Sequence, residues 1–475
     1  MKQSELWIGG EHVAPTEGQY FDDLNPSDQS VIAKVASATA ADVDSAVAAA
    51  HKAFPEFSRS QAKEREKILC DAAALVERDR DEYLGMLIEE VGSPVMKAQF
   101  EVDYCINAFR AAAGVPRRLT GETMPLDRPG AFGMSIREPV GVIACITPFN
   151  VPLLKNVKQI AMVVATGNTS VLLPSEFASQ VTVRFAETLH EAGLPAGVFN
   201  YVTGNPFEIG DVLTSHPGIA AVNFCGSPVI GKHVAEIAAK DLKPITLELG
   251  GKSPLIVLDD ADLGKALEAA TIGIFFFQGQ ACMASSRIFL QRGIAEAFTE
   301  QFVEIARNIK VGDLSDPETA LGPIISERQM NRIRSHIDDA VEKGAHVLHG
   351  GNEWQGQCCP PTILTGVQEG MTVFREETFG PVTSLYTVDS LDEALALAND
   401  TQYGLSYSIF TSNINAAMQA AREANSGMVH INAMSIQDEP HVPFGGNGLS
   451  GFGREGTEAD LDIMTKWKWI TIQLD

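Results

Sequence analysis

Between residues 140 and 250, short apolar runs alternate with longer stretches in which apolar residues recur at helical spacing. The runs at 142–146 and 171–173 predict buried strands, and helical stretches at 153–164 and 181–190 follow them. Strands that are apolar on both faces and are separated by helices are typical of a parallel sheet with crossover helices. The pattern therefore predicts a doubly wound, Rossmann-like α/β domain of the kind that binds dinucleotides.

Two further regions flank this domain. Residues 41–113 are mostly helical by the same spacing, and after Gly251 the alternation resumes and predicts a second α/β domain. At the C-terminus, residues 466–472 alternate like a strand that pairs either within the chain or with a partner. In the second domain, strands are predicted at 255–258, 346–348, 382–386 and 428–431, and helices at 262–277, 295–309, 328–343, 391–399 and 413–424.

The composition is acidic, which narrows the possible partners. The 475 residues include 36 Lys and Arg against 61 Asp and Glu, a net charge of −25. Nucleic acids and anionic membranes would repel such a chain, so neither is an expected partner. Residues 1–12 lack the apolar core of a signal peptide, and the apolar stretch 269–277 is far shorter than the ~20 residues that span a bilayer. We therefore expect a cytoplasmic protein whose charge serves solubility.

The seven cysteines include one in an unusual context. None forms a CxxC pair or lies near a histidine at zinc-ligand spacing, so we expect neither a disulfide framework nor a metal site. Cys282 follows the polar and glycine residues 278–281, which interrupt a very apolar stretch. This context favours an accessible thiol, and the alternative is a small core residue.

Other candidates lie at the ends of predicted strands. Asn150 follows the strand 142–146 in a proline-rich turn, where its amide is either an oxyanion donor or part of the turn. Glu248 ends another strand and is either a site carboxylate or an ion-paired one. The glycine turn at 224–231 precedes a helix and is either a phosphate site or a plain turn. Residues 446–451 match GxGxxG, but too little chain follows them for a βαβ unit, so we interpret them as a glycine loop.

Together these motifs resemble the aldehyde dehydrogenase superfamily over nearly the whole chain. The separation between Glu248 and Cys282 also matches that family. In chain order the shared motifs are Pro148-Phe149-Asn150, Gly167-Asn168-Thr169, Gly226-Ser227 with Gly231, Leu247-Glu248-Leu249-Gly250-Gly251-Lys252, Gly279-Gln280 with Cys282, Glu376-Glu377 with Phe379-Gly380-Pro381, and Pro443-Phe444-Gly445-Gly446.

The resemblance implies three catalytic residues. Cys282 would be the nucleophile that attacks the aldehyde to form a thiohemiacetal. The Asn150 side chain and the Cys282 backbone N–H would form the oxyanion hole. After hydride transfer leaves a thioester, Glu248 would activate the hydrolytic water as a general base.

The resemblance also implies NAD as the cofactor. Glu176 matches the glutamate that binds the adenosine ribose, where a carboxylate would repel the 2′-phosphate of NADP. One departure is Leu173, where the family usually has a lysine that also holds this ribose. The implied cofactor contacts are Ile146, Thr147, Pro148, Glu176, Gly226, Ser227, Gly231, Leu249, Gly250, Glu377 and Phe379.

An aromatic aldehyde is the implied substrate. Phe277, which stands where the family usually has Asn, and the segments 429–432 and 438–444 are most similar to benzaldehyde-, salicylaldehyde- and vanillin-type enzymes. Lys158, two helical turns after Asn150, is expected at the substrate mouth, where it would pair with a phenolate or carboxylate. The alternative is an ordinary surface lysine. The implied substrate contacts are Phe149, Lys158, Phe277, Ala281 and Phe444.

Domain boundaries and assembly follow from the same resemblance. It implies an NAD-binding domain from residues 1–117 and 139–249, and a catalytic domain from residues 250–442. A small β element at 118–138 and 463–475 would mediate assembly into a homodimer or homotetramer.

Three alternatives stay open. One is an aliphatic or semialdehyde dehydrogenase of the same mechanism. Another is a CoA-acylating relative, although such relatives typically lack the glutamate base found here as Glu248. The third is a non-catalytic NAD-binding or structural relative, which is suggested by Leu173 and by Gly448, where the family often has lysine.

Overall fold

A computed structural model describes residues 2–474. Met1 and Asp475, at the ends of the predicted domain segments 1–117 and 463–475, lie outside the described residues. Within residues 2–474, no helix has the length and apolar character needed to cross a membrane.

The strands and helices have the following bounds. The strands are β1 Lys2–Ser4, β2 Leu6–Ile8, β3 Glu11–Val13, β4 Tyr20–Leu24, β5 Val31–Ala36, β6 Glu122–Met124, β7 Ala131–Pro139, β8 Val142–Ile146, β9 Thr169–Leu173, β10 Phe199–Tyr201, β11 Ala221–Cys225, β12 Ile245–Glu248, β13 Pro254–Val257, β14 Arg287–Gln291, β15 His346–His349, β16 Thr362–Thr365, β17 Val382–Val388, β18 Ser406–Phe410, β19 Met428–Ile431, β20 Gly451–Phe452 and β21 Thr465–Gln473. The helices are α1 Ala40–Phe57, α2 Ala62–Arg78, α3 Arg80–Val91, α4 Val95–Ala113, α5 Pro152–Thr166, α6 Ser179–Glu191, α7 Pro206–Ser215, α8 Pro228–Lys240, α9 Leu263–Phe275, α10 Arg292–Asn308, α11 Glu327–Glu342, α12 Thr372–Arg375, α13 Leu391–Asn399, α14 Ile414–Glu423 and α15 Thr457–Met464, with 3₁₀ turns at Phe276–Gly279 and Gly448–Ser450.

The first large sheet has the order β20-β12-β11-β8-β9-β10-β2-β3. Its central strands β12, β11, β8, β9 and β10 are parallel, and antiparallel strands close both edges. One apolar core joins the sheet to α2–α6, and a second joins it to α1, α7 and α8. Helices therefore cover both faces, and the predicted doubly wound α/β fold is confirmed.

Helix α5 lies at the centre of the first core. Proline at its first turn fixes a helical φ, and Gly167 ends the helix with a φ of 81°. All fifteen of its residues are buried. A helix buried all round normally carries only apolar side chains, so its two lysines and its glutamine require partners inside the protein.

The second large sheet has the order β15-β16-β17-β14-β13-β18-β19 and is parallel except for β15. The sequence pattern missed β14, β16 and β18, because each carries polar residues that are buried and bonded only in the tertiary structure. Ser406 and Ser408 of β18, for example, donate hydrogen bonds to the carbonyl oxygens of Ser435 and Ala433.

The predicted helix 262–277 ends early. Helix α9 stops at Phe275, since Phe277 and Gln278 have left-handed φ values of 48° and 55°. Non-glycine residues adopt this conformation at an energetic cost, so their surroundings must hold them there.

A third sheet contains the C-terminal tail. Strand β21 pairs antiparallel with β7 along their whole lengths, from Thr465 opposite Pro139 to Gln473 opposite Ala131. The tail strand therefore pairs within the chain. It is nevertheless an edge strand, because the sheet order is β21-β7-β6 and, over residues 2–474, no strand pairs with its outer edge.

Candidate active site

Cys282 lies in a loop that two glutamine amides hold in place. Gln278 Nε2 donates to the carbonyl oxygen of Gly92 at 2.9 Å, and Gln280 Oε1 accepts from the backbone N–H of Ile325 at 3.1 Å. These bonds hold the 3₁₀ turn that follows α9, in which Phe277 and Gln278 are left-handed. The thiol that follows is half-buried, and all seven cysteines of the chain are free.

Asn150 is directed at the same loop. It lies between β8 and α5, and its Nδ2 donates to the carbonyl oxygen of Gln280 at 2.9 Å. An amide nitrogen carries two N–H donors, so this bond leaves the second one for another acceptor. The carbonyl oxygen of Cys282 in turn packs against Gly251, where any Cβ would collide with it.

Glu248 ends β12 as a buried carboxyl group. Neither of its carboxyl oxygens has a hydrogen-bond partner among residues 2–474, and Oε1 lies 2.7 Å from the position that a Cβ on Gly445 would occupy. Burial raises the pKa of Glu248 well above its usual value, Glu455 raises it further, and Lys155 opposes the shift. The group is thus disposed to hold a proton until the pH rises.

Burial and the charge of Lys155, which act on Glu248, also act on the Cys282 thiol. Burial raises the pKa of Cys282 to about 12, while the Lys155 ammonium acts to lower it and the charges of Glu377 and Glu248 act to raise it. The resting thiol is therefore protonated, and Lys155 is the charge that most strongly opposes the raised pKa of both Cys282 and Glu248.

Lys155 and Glu455 form a buried ion pair beside these groups. Lys155 Nζ lies 2.5 Å from Glu455 Oε2, and the two side chains are 5% and 1% exposed. Gln159 Nε2 donates to Glu455 Oε1 at 3.4 Å. Burial alone would raise the pKa of Glu455, but Lys155 and Lys158 lower it below its usual value.

Sequence reasoning missed both members of this pair. A signal for Lys155 was present, since it stands with Lys158 and Gln159 at i, i+3 and i+4 of a helix that is otherwise largely apolar. Glu455 carried no such signal, because it comes from a distant segment that pairs with Phe444 through backbone hydrogen bonds.

Lys158 is not a surface residue. It is 4% exposed, and its Nζ lies 2.7 Å from Asp438 Oδ2 and 4.4 Å from the centre of the Phe444 ring. Tyr104 donates its hydroxyl to the same Asp438 oxygen at 2.7 Å. The surface alternative for Lys158 is therefore wrong, and no sequence pattern singled out Asp438 or Tyr104 as its partners.

The predicted phosphate turn is the N-terminus of α8. Ser227 is the N-cap, and its hydroxyl accepts from the backbone N–H of Ile230 at 3.4 Å. Proline at the first helical position lacks an N–H, and Gly231 donates its N–H to the Ser227 carbonyl oxygen, so Val229 carries the N–H group of this turn that is left for an anion. Gly231 packs so closely on Leu249 that a Cβ would collide with that side chain.

Glu377 lies at the junction of the two large sheets. Its Oε1 accepts from the backbone N–H of Gly251 at 2.8 Å, and its carboxylate fills the space that a Cβ on Gly250 would need. Burial raises the pKa of Glu377 to about 7, against the opposing N–H bond and the charge of Arg332.

The remaining predicted cofactor and substrate contacts lie at or after the ends of β8 and β9 and beside the Cys282 loop. Glu176 is half-buried after β9, and the preceding Leu173 is buried in the second core. The Phe149 and Phe379 rings meet edge to face, with their centres 6.0 Å apart. Around them, Thr147 Oγ1 donates to the Asn156 side chain at 2.8 Å, while Ile146, Pro148 and Ala281 are half-buried.

Phe277 lies deeper than the sequence suggested. Its side chain is 2% exposed, and the Lys97 ammonium lies 4.2 Å from the centre of its ring. The ring thus packs in the first core and supports the turn before Cys282. A direct contact between Phe277 and substrate stays a prediction.

Comparison with known proteins agrees with this geometry. A model described as the aldehyde dehydrogenase family matches residues 12–470. Vanillin dehydrogenase from Pseudomonas fluorescens is 38% identical and covers 98% of this chain and 97% of its own.

Solved structures are similar over their whole lengths. The crystal structure of a salicylaldehyde dehydrogenase from Pseudomonas putida G7, complexed with salicylaldehyde, has a TM-score of 0.97 and 37% identity and covers 100% of this chain and 98% of that one. An NAD-dependent aldehyde dehydrogenase from Sinorhizobium meliloti has a TM-score of 0.97 and 36% identity and covers 100% and 95%.

Replacing Lys155 by Met should destabilise the protein. The change leaves the Glu455 carboxylate buried with Lys158 as its remaining cation, 4.0 Å away, and breaking a buried pair in this way costs about 3 kcal/mol or more. Thermal unfolding should therefore shift to lower temperature. A double variant with Lys155→Met and Glu455→Leu should recover most of the loss, since it removes the unpaired charge. Equal unfolding temperatures for the wild type and Lys155→Met would contradict this stabilising role of the ion pair.

Proposed function

Because this chain belongs to the aldehyde dehydrogenase family and oxidises aldehydes to carboxylic acids, we propose that it acts on aromatic aldehydes with NAD, through Cys282, Asn150 and Glu248. The observation that carries the proposal is the convergence of the Cys282 loop, the Asn150 amide and the buried Glu248 carboxyl group. Each of these residues is of the chemical type that thiol addition and hydrolysis require.

In the first half of the reaction, Cys282 Sγ gives up its proton to solvent and bonds to the aldehyde carbon, and the carbonyl π electrons move to the oxygen. The oxygen of the resulting thiohemiacetal gains negative charge. The free N–H of Asn150 and the backbone N–H of Cys282 donate to it, which lowers the barrier because the donors are already oriented.

The residues around α8 and Gly250 suit a dinucleotide. The Val229 N–H in the first turn of α8 suits a phosphate oxygen, and Glu377 offers a carboxylate for ribose hydroxyls. Bound NAD supplies the acceptor for the hydride that leaves the thiohemiacetal carbon. Glu176 would favour NAD over NADP because its carboxylate repels a 2′-phosphate.

In the second half, Glu248 takes a proton from a water molecule as the water oxygen attacks the thioester carbon. The bond to Cys282 Sγ then breaks and the carboxylic acid is released. This step distinguishes the proposal from a CoA-acylating enzyme, which transfers the acyl group to CoA instead of water. The intact nucleophile and base also speak against a non-catalytic relative, despite Leu173 and Gly448.

An aromatic substrate is supported by the named relatives and by the rings near the site. Vanillin and salicylaldehyde dehydrogenases are similar over the whole chain. Phe149 adjoins Asn150 in the chain, Phe444 packs on Lys158, and Ala281 precedes the nucleophile. An aliphatic aldehyde would gain less from contact with these rings.

The first test measures NADH formation with benzaldehyde, vanillin and hexanal, each with NAD and with NADP. We expect faster turnover of the aromatic aldehydes, with NAD preferred. Cys282→Ala should lose about 10³-fold or more of the activity, because the covalent step disappears. Cys70→Ser, at an exposed thiol, is the matched control and should leave the rate unchanged. Turnover of no aldehyde, or full activity in Cys282→Ala, would refute the proposal.

The second test is the pH dependence of kcat. Glu248 acts as a base only when it is deprotonated, and its pKa is raised by burial, so kcat should rise with pH through a value well above the ordinary range of a glutamate. Glu248→Gln should lower kcat by roughly 10²–10⁴-fold and remove this limb. A burst of one NADH per active site should survive in this variant, because only hydrolysis is blocked. Unchanged steady-state turnover in Glu248→Gln would exclude the assigned role.

We also propose that the chain forms a homodimer or homotetramer through the sheet of β6, β7 and β21. The outer edge of β21 offers unpaired backbone groups to another strand. Trp467 and Trp469 share one face of this strand and are 52% and 65% exposed, while Ile472 and its cross-strand partner Phe132 are each 40% exposed on the other face.

Truncation after Met464 should dissociate the assembly, because it removes the whole of β21. Light scattering measures the mass of the particle directly. Trp469→Lys should weaken assembly without removing the strand, and Leu242→Lys, at another exposed apolar position, is the control. An unchanged mass for both the truncation and Trp469→Lys would show that assembly uses another surface.

A further inference from the structure

Asp438 has one carboxylate oxygen with two donors and another with none. Tyr104 and Lys158 both donate to Oδ2 at 2.7 Å, whereas Oδ1 is buried without a partner among residues 2–474. The side chain is 9% exposed. A buried acceptor that lacks a donor carries an energetic penalty, and a ligand that donates to it would remove that penalty.

The segment that carries Asp438 is bonded to the loop of the proposed nucleophile. Ser435 Oγ donates to the carbonyl oxygen of Met283, the residue after Cys282, at 2.7 Å. On the other side, Lys158 of α5 donates to Asp438 Oδ2 at 2.7 Å. Asp438 thus lies at one end of the proposed site, between α5 and the segment that is bonded behind Cys282.

The charges at this end of the site are already balanced. Lys155 pairs with Glu455 and Lys158 pairs with Asp438, so each buried ammonium group has its own carboxylate. A carboxylate or phenolate on a substrate would find no unpaired cation here, and it would approach Asp438 at an energetic cost. A neutral hydrogen-bond donor suits the free oxygen instead.

We propose that Asp438 determines substrate specificity by accepting a hydrogen bond from a neutral hydroxyl group on the aldehyde's ring. Tyr104 and Lys158 orient the carboxylate and leave Oδ1 for the substrate. This inference rests on the proposed function and refines it. It replaces the expectation that Lys158 itself pairs with an anionic group.

The experiment compares aldehydes that differ only in a donor. Each benzaldehyde with a hydroxyl or hydroxymethyl group at the 2-, 3- or 4-position is paired with its methyl ether, which accepts but does not donate. The hydroxymethyl compounds keep the donor neutral across the assay range. At one ring position, kcat/KM should favour the donor over its ether by about tenfold, as expected for a hydrogen bond to a charged acceptor.

The decisive variant is Asp438→Asn. Tyr104 and Lys158 are both donors, so they will hold the amide oxygen and turn its NH₂ group towards the substrate. The ratio of kcat/KM for the hydroxyl compound to that for its methyl ether should then fall to about 1, because the ether oxygen also accepts a hydrogen bond from the NH₂ group. Glu439→Gln, an exposed carboxylate on the same segment, is the control and should keep the wild-type preference.

Three outcomes would overturn the inference. They are a wild-type enzyme that treats donors and ethers alike at every ring position, an Asp438→Asn variant that keeps the preference, and a preference that appears only when a phenol ionises. The wild-type panel decides the question even if the variant fails to fold. Unsubstituted benzaldehyde distinguishes failure of the proposed function from failure of the role given to Asp438. If the wild type turns over no aldehyde at all, benzaldehyde included, the proposed function itself is refuted.

Discussion

Close backbone packing at Gly250 and Gly251 is the constraint on which the site depends. The chain leaves the first sheet after Glu248 and enters the second at β13, and these two glycines carry it across. A side chain on Gly250 would displace the Glu377 carboxylate, and one on Gly251 would strike the carbonyl of Cys282. Because neither glycine has a Cβ, the junction can bring Glu248, Cys282 and Glu377 together from distant parts of the chain.

Helix α5 provides the positive charges that act on the residues at that junction. It is buried on all sides, yet it carries two lysines, each of which has its own carboxylate at 2.5 or 2.7 Å. Paired charges of this kind cost little net free energy, whereas a single unpaired one would be expensive. The same lysines act on Glu248, and Lys155 also acts on Cys282, so the core of the first domain and the chemistry of the site share one set of charges.

Much of the fold could be predicted from the sequence because its central elements have uniform patterns. Strand β8 is a continuous apolar run and β9 contains one at residues 171–173, and α5 and α6 follow them with helical spacing. Strands β14 and β18 escaped prediction because Arg287 and Ser406 interrupt the pattern. Arg287 is fully buried and donates to the carbonyl oxygens of Lys252, Leu397 and Ala398, which are partners that only the folded chain provides.

By itself, the sequence determined the α/β class, the order of the motifs, and the candidate residues Cys282, Glu248 and Asn150. The class follows from local residue type and spacing, which every short segment carries with it, whereas the choice of these three residues among the open alternatives came from the family resemblance of the ordered motifs. Only the tertiary structure decided that Lys158 is buried against Asp438, that Lys155 faces Glu455, and that Phe277 lies in the core. Each of these outcomes depends on which distant side chain lies within a few ångströms, because charges and hydrogen-bond donors act over that range and not along the chain.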